Sequence, residues 1–418
     1  MKLSWLAETL IGSEIVKLGN EINDRKSKGE TIYNFTIGDF DPKIFPIPAQ
    51  YEDAIIQAYR NKFTNYPPAD GIVDLRTAVG TFLQKNLGLT FTNNQILIGS
   101  GGRPLIYAAY RTIVDKGDKV IYAVPSWNNN HYTHFTEGNH VVINATAQNR
   151  FMPTAQQLAP HLKGATLLAL CSPLNPTGTT FTKAELTQIC NLVVAENNSR
   201  PEGDKKLYVL YDQMYWSLTY GQTKHYNPIG VNPAMAPYTI FIDGVSKCFA
   251  ATGVRVGWVC ANNTIIAKMK AILSHIGAWA PMAEQQATAA FLQNDEAIKI
   301  YHNTYKVSLQ NRLTTFHNGI QALKAKGYKV DSIAPEGALY LTFKLDLVGL
   351  TDNHGTTLNQ QTDVTTYMLS KAQLAIVPFS AFGDNTNSPW YRISVGTCNI
   401  SDIETVLKNL DTVLAALK

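Results

Sequence analysis

Six short apolar runs recur between residues 94 and 261 of the chain: NQILIGS, DKVIYAV, ATLLALCS, KLYVLYD, TIFIDGV and VGWVCA. Each is rich in aliphatic and β-branched residues, ends in small or polar ones, and is separated from the next by polar or helix-period sequence. That alternation predicts a mainly parallel sheet with crossover helices. Past residue 283 the apolar positions take a helical period through EQQATAAFLQNDEAIKIYHNTYKVSLQNRLTTFHNGIQALKAKG. Strand-like pieces GYKVDSI, LYLTFKL, LAIVPF and WYRISVG follow among helices, which predicts a second, smaller α+β lobe joined by a spanning helix. The N-terminal MKLSWLAETLIGSEIVKLGNEI is interrupted by Glu8 and Glu14 and predicts an amphipathic helix, without the continuous apolar core of an export signal. No apolar run approaches the roughly 18 residues of a membrane span, and no repeat or low-complexity tract appears.

Length and composition sharpen this picture. At 418 residues the chain exceeds what one hydrophobic core usually supports, so two lobes that share a cleft are expected. Charged residues make up 16%, below the usual share of about 25%, which predicts that subunit contacts cover part of the surface. The 36 basic and 32 acidic residues are scattered without blocks. They give nucleic acid or a membrane no electrostatic footprint, while a small anionic ligand stays open. Five cysteines form no C-x-x-C pair, as expected for reduced thiols in a cytoplasmic protein with no metal site.

In open α/β sheets ligands gather beyond the carboxyl ends of the strands, so the residues that follow each predicted strand are the candidates for chemistry. After the first run come Ser100, Gly101, Gly102 and Arg103, with Pro104 opening a helix. This is either a plain strand-to-helix turn or a cradle that aims backbone N–H groups at an anion. After DKVIYAV stands Trp127, a packed loop aromatic or a stacking platform. After ATLLALC, SPLNPTG carries Asn175, in an ordinary Asn-Pro turn or facing a ligand. After LYVLY come Asp212 and Tyr215, an N-cap with a core aromatic or a carboxylate that awaits a cation. Lys247 follows TIFIDGVS, where burial would lower its pKa and make the amine a nucleophile for carbonyl chemistry. Arg255, between Gly253 and Gly257, offers a guanidinium fork for a phosphate. An aldehyde and a phosphate together would satisfy this set, and pyridoxal phosphate carries both.

With these motifs in order, the chain resembles the class I and II aminotransferases of the fold-type I pyridoxal phosphate enzymes, nearly end to end. The segment GVSKCFAATGVRVG fits that family's attachment-site pattern, and NPTG, YDQMY and PSW fall in its order. The resemblance implies a large domain over residues 46–299 with a mainly parallel seven-stranded sheet. A small domain would combine residues 1–45 with 300–418. It further implies that Lys247 holds the cofactor as a Schiff base, Asp212 faces its ring nitrogen, and Asn175 and Tyr215 its ring oxygen. Trp127 would stack on the ring, while Ser100, Gly101, Gly102, Ser246 and Arg255 hold the phosphate. Tyr66, in NYPPADGIVDLRTAV, would reach the phosphate of the neighbouring subunit, implying a homodimer with shared sites. Arg392 of WYRISVG and the backbone of Gly38 in TIGDFDP would hold the substrate α-carboxylate. Two departures stand out: Gly244 where many members carry a hydroxyl, and Gln213 in place of a frequent glutamate.

The same resemblance implies transfer of an α-amino group from an L-amino acid to a 2-oxo acid such as 2-oxoglutarate. Arg103 stands where one bacterial branch has a lysine that contacts a distal carboxylate, so aspartate is the expected donor. Alternatives are an aromatic or broad-specificity aminotransferase, with Trp127, Tyr215 and Tyr340 lining its pocket, and a C–S β-lyase. An effector-sensing regulator would need a DNA-binding domain ahead of the large lobe, where only about forty residues stand.

Overall fold

The computed structural model describes residues 2–12 and 14–418. A two-residue strand β1 (Tyr33–Asn34) precedes the main sheet, whose strands follow as β2 (Ile96–Gly99), β3 (Lys119–Val124), β4 (Asn139–Asn144), β5 (Ala165–Cys171), β6 (Tyr208–Asp212), β7 (Thr239–Gly244) and β8 (Gly257–Cys260). Their order across the sheet is β2-β8-β7-β6-β5-β3-β4. Only β8 runs against its neighbours; the other pairs are parallel. β5 and β7 are buried along almost their whole length, as expected of strands covered on both faces, which is why they read as continuous apolar runs instead of alternating ones. β4 escaped the sequence reading because its pattern NHVVIN leaves most residues exposed at the sheet edge.

The C-terminal part adds β9 (Val330–Ser332), β10 (Tyr340–Leu345), β11 (Leu374–Ala375), β12 (Val377–Pro378) and β13 (Trp390–Ser394). β12-β13-β10-β9 form an antiparallel sheet, and β11 pairs with β1. Two expected helices are interrupted. The N-terminal one divides into Trp5–Thr9 and Glu14–Ser27. The long one breaks after Leu292, where the Asn294 side chain accepts from Ala297 N and caps the 31-residue helix Asp295–Ala325. LAIVPF likewise divides between two sheets. Among the described residues no helix is long and apolar enough to cross a membrane, and all five cysteines are unpaired.

Three glycines lie side by side at one end of the main sheet: Gly99 opposite Gly257, and Gly257 opposite Gly244. A Cβ on Gly257 would meet Gly101 Cα at 2.9 Å, and one on Gly244 would meet Gly257 Cα at 2.8 Å. Without side chains there, the turn after β2 settles directly over the sheet end and comes beside the turn after β7. Gly244, one of the two departures from the family pattern, therefore fills a packing need. In the smaller sheet Tyr340 lies opposite Ser394 and Thr342 opposite Arg392, so all four share one face. Thr342 Oγ1 donates to Thr177 O at 2.8 Å, which turns that face toward the Asn175 loop.

Candidate active site

The carboxyl ends of β2, β3, β5, β6 and β7 open on a cavity of about 640 Å³. Its walls include Gly38, Gly102, Arg103, Trp127, Asn175, Asp212, Tyr215, Ser246, Lys247, Arg255 and Arg392, so eleven of the residues singled out in the sequence converge. Ser100 and Gly101 lie just behind, in the turn that Arg255 grips. Tyr66 does not converge: it is 82% exposed, with its ring edge-on to Trp279 at 5.3 Å. Its proposed target in another subunit lies beyond a single chain.

Lys247 sits on a short helical turn, Val245–Cys248, directly after β7. Its Nζ donates to Gly38 O at 2.7 Å and lies 5.4 Å from the Phe40 ring. No carboxylate forms an ion pair with it among the described residues. Burial, seconded by Arg392, Arg103 and Arg255 against an opposing pull from Asp39, pushes its pKa down to about 8. About a tenth of the amine is therefore neutral and nucleophilic at pH 7, some hundreds of times more than for an ordinary lysine.

Asp212 closes β6 with its carboxylate toward the cavity. One donor reaches it, Met214 N at 3.0 Å, and burial without a counter-charge pushes its pKa up to about 6. Gln213 next to it is fully buried and turns away from the cavity, its Oε1 at 3.3 Å from His225 Nε2. The second departure from the family pattern thus leaves the cavity wall unchanged.

Gly101 (φ +87°) ends the turn after β2 and precedes the helix Gly102–Ile113, whose N-terminus has no side-chain cap. Arg255, itself at φ +61°, donates from Nη2 to Ser100 O at 2.8 Å and from Nη1 to Thr252 O at 2.7 Å. A Cβ on Gly101 would run into that guanidinium. Bare backbone, a helix N-terminus and a cation thus form one cradle for an anion.

Arg392 is 2% exposed and lies between the rings of Tyr340 and Phe382, at 4.7 and 4.9 Å. Its Nη1 donates to Asn175 Oδ1 at 3.1 Å and its Nη2 to Thr36 O at 2.6 Å, while Nε has no partner. No acidic side chain pairs with it among the described residues. A buried guanidinium of this kind fits a carboxylate supplied from outside. Arg103 is exposed at the cavity wall, 5.2 Å from the Trp127 ring centroid. Asp39, Thr36 and Tyr340 also line the cavity. The sequence signal for Asp39 and Thr36 was their place in TIGDFDP; Tyr340 read only as an apolar wall.

These residues fit pyridoxal phosphate. A nucleophilic amine, a carboxylate short of a cation and a cradle short of an anion surround one cavity, and each meets a different part of that molecule. A family profile for class I and II aminotransferases matches residues 30–410. An aspartate aminotransferase of Rhizobium meliloti (strain 1021) is 28% identical over 389 residues, covering 92% of this chain and 90% of the relative. A bifunctional aspartate aminotransferase and glutamate/aspartate-prephenate aminotransferase of Petunia hybrida is 27% identical, covering 100% and 84%. The crystal structure of an aspartate aminotransferase from Rhizobium meliloti superposes with a TM-score of 0.90 at 25% identity, covering 100% of both chains. With the profile spanning all three sheets and every cavity residue named above, this chain belongs to the class I and II aminotransferases, enzymes that work with pyridoxal phosphate.

Proposed function

We propose that this aminotransferase takes its amino group from an acidic L-amino acid, aspartate first, and passes it to a 2-oxo acid such as 2-oxoglutarate. The observation that carries the reading is two cavity-wall cations that have no acidic partner among the described residues and no part in holding the cofactor, Arg392 buried and Arg103 exposed. A dicarboxylic substrate has one carboxylate for each. The curated relatives that carry aspartate in their names support it.

Pyridoxal phosphate supplies an aldehyde for amines and a ring that accepts electrons when the Cα–H bond breaks. In this reading Lys247 Nζ is its anchor. Once released by the incoming amino acid, the same nitrogen would take the Cα proton and hand it on to the carbon of the cofactor's aldehyde group. Asp212 keeps the ring nitrogen protonated, and the ring cation in turn relieves the uncompensated burial of the carboxylate. Asn175 and Tyr215 donate toward the ring oxygen. The Gly101 turn, Ser246 and Arg255 hold the phosphate, and Trp127 covers the ring. Arg392, aided by the backbone of Gly38, orients the α-carboxylate so that the Cα–H bond faces Lys247.

Residues 46–299 are read as the large domain, and 1–45 with 300–418 as the small one. In support, β1 pairs with β11, and the whole antiparallel sheet follows residue 300. The exposed ring of Tyr66, absent from its own cavity, supports a homodimer in which each subunit completes the other's site. The five unpaired thiols support a cytoplasmic location.

A half-reaction screen tests the substrate reading, with the absorbance change of the cofactor followed as each amino acid converts it to its amine form. Aspartate should react with the highest kcat/KM. Arg103→Ala should lower that value about 10- to 150-fold, the worth of a charged hydrogen bond, and leave phenylalanine unaffected. Preference for phenylalanine, with no effect of Arg103→Ala on aspartate, would favour the aromatic alternative.

A further inference from the structure

The hydroxyls of Tyr215 and Tyr340 lie 2.8 Å apart in a buried pair. Their rings meet edge-on at 67° with centroids 5.6 Å apart. Neither hydroxyl has another hydrogen-bond partner among the described residues. Tyr340 is fixed on three sides. Its backbone is laddered to β13, its ring lies against the Arg392 guanidinium, and its hydroxyl presses on Gly38, where an added Cβ would come within 2.7 Å of it. It is 1% exposed, so the hydroxyl has little freedom to find another acceptor.

Two hydroxyls in contact have one hydrogen between them, and the partner that accepts is left free to donate elsewhere. Tyr215 is the one read as donating to the cofactor's ring oxygen, and the inference rests on that reading. We propose that Tyr340 is a positioning residue: its hydroxyl donates to the Tyr215 oxygen, and Tyr215 therefore presents its own hydrogen to the ring oxygen. An accepting hydroxyl is also a stronger donor, because consecutive hydrogen bonds polarise one another. No proton leaves either residue; only the order of donation is set.

The order has a spectroscopic consequence. A donor on the ring oxygen draws off negative charge that would otherwise hold the proton on the nitrogen joined to Lys247. Weakening that donor raises the pH at which the proton is lost. Other groups that act on the pair are Arg392 from β13, Asp39 after β1, Cys171 from β5, Asp212 from β6, Lys247 after β7 and Tyr305 from the long helix. All of them remain when only the Tyr340 oxygen is removed, so a shift reports the hydroxyl itself.

The test titrates the visible absorbance of the holoenzyme across roughly pH 5 to 10, bracketing the ordinary range of amine and imidazole groups. Wild type, Tyr340→Phe, Tyr215→Phe and the double variant are compared. Tyr340→Phe should raise the midpoint by about half a unit to one unit, and Tyr215→Phe by about one to two, as expected for a neutral and a charge-bound hydrogen bond. The double variant should match Tyr215→Phe alone, because Tyr340 acts only through Tyr215. A midpoint unmoved by Tyr340→Phe, or shifts that add in full, would overturn the role of Tyr340 and leave that of Tyr215 standing. If Tyr215→Phe itself moves nothing, the reading of Tyr215 falls and takes the inference with it. Should Tyr340→Phe fail to fold, Tyr340→Leu must give a shift of the same sign.

Discussion

Replacing Arg392 with lysine keeps the charge and removes the fork. In the structure two guanidinium nitrogens are already engaged, with Thr36 O at 2.6 Å and Asn175 Oδ1 at 3.1 Å. The partnerless Nε and the remaining N–H groups are left for a carboxylate. A lysine ammonium has three donors at a single point. If it satisfies the two fixed acceptors, it has one left for the substrate where arginine offered a bidentate grip. It also loses the flat contact with the Tyr340 and Phe382 rings. One charge-assisted hydrogen bond is worth about 1.5–3 kcal/mol, and each 1.4 kcal/mol is about tenfold. Arg392→Lys should therefore lower kcat/KM for an α-amino acid by about 10- to 150-fold. Steady-state kinetics with aspartate measure this, and a primary amine without an α-carboxylate serves as control, since its slow half-reaction should be unchanged. Equal losses with both substrates would show that the substitution disturbed the cavity in general. A loss under about twofold with aspartate, well below one hydrogen bond, would refute the assignment of Arg392.

Lys247→Ala should abolish amino transfer and the cofactor's absorbance, and retention of either by the purified variant would contradict the anchor role. The rate at which the apoprotein takes up an aldehyde should rise to a midpoint near the depressed Lys247 pKa of about 8; a midpoint at the ordinary lysine value would remove the case for burial. For Asp212, whose folded pKa is raised from 3.8 to about 6, the folded carboxyl binds protons more readily than the unfolded one. Apoprotein stability should therefore fall as pH rises from about 4 to 6 and stay lower above that. Asp212→Asn should stabilise the apoprotein by about 3 kcal/mol above pH 6 and by little below pH 4, as read from denaturation midpoints; a gain at low pH would contradict the sign. Gly101→Ala would place a Cβ against Arg255 at a positive φ, so affinity for pyridoxal phosphate should fall, while pyridoxal without its phosphate binds as before in an equilibrium titration.

Much of this site was legible in the string because the fold places ligands at strand ends. A residue type that is costly to bury, set directly after an apolar run, announces itself without any contact map. Lys247, Asp212 and Asn175 were found that way, and Arg255 followed from its flanking glycines. What stayed hidden depended on distance in three dimensions. The peptide oxygen that holds Lys247 belongs to Gly38, 209 positions away. The hydroxyl beside Tyr215 belongs to Tyr340, 125 positions away. Edge strand β4 was missed because exposure erased its apolar signal, and the helix breaks at Leu10–Gly12 and Gln293–Asn294 were missed because periodicity runs on through them.

Local sequence pointed to most of the strands and to the strand-end turns that carry a lysine, a carboxylate and an arginine costly to bury. Those outcomes follow from the cost of burying charge and from periodicity, both of which are local. Tertiary structure alone decided that Arg392 stands without an acid between two rings, that three glycines let the β2 and β7 turns meet, and that two tyrosines share one hydrogen. Those depend on which distant strands pair and in what register, and the information is spread across the whole chain.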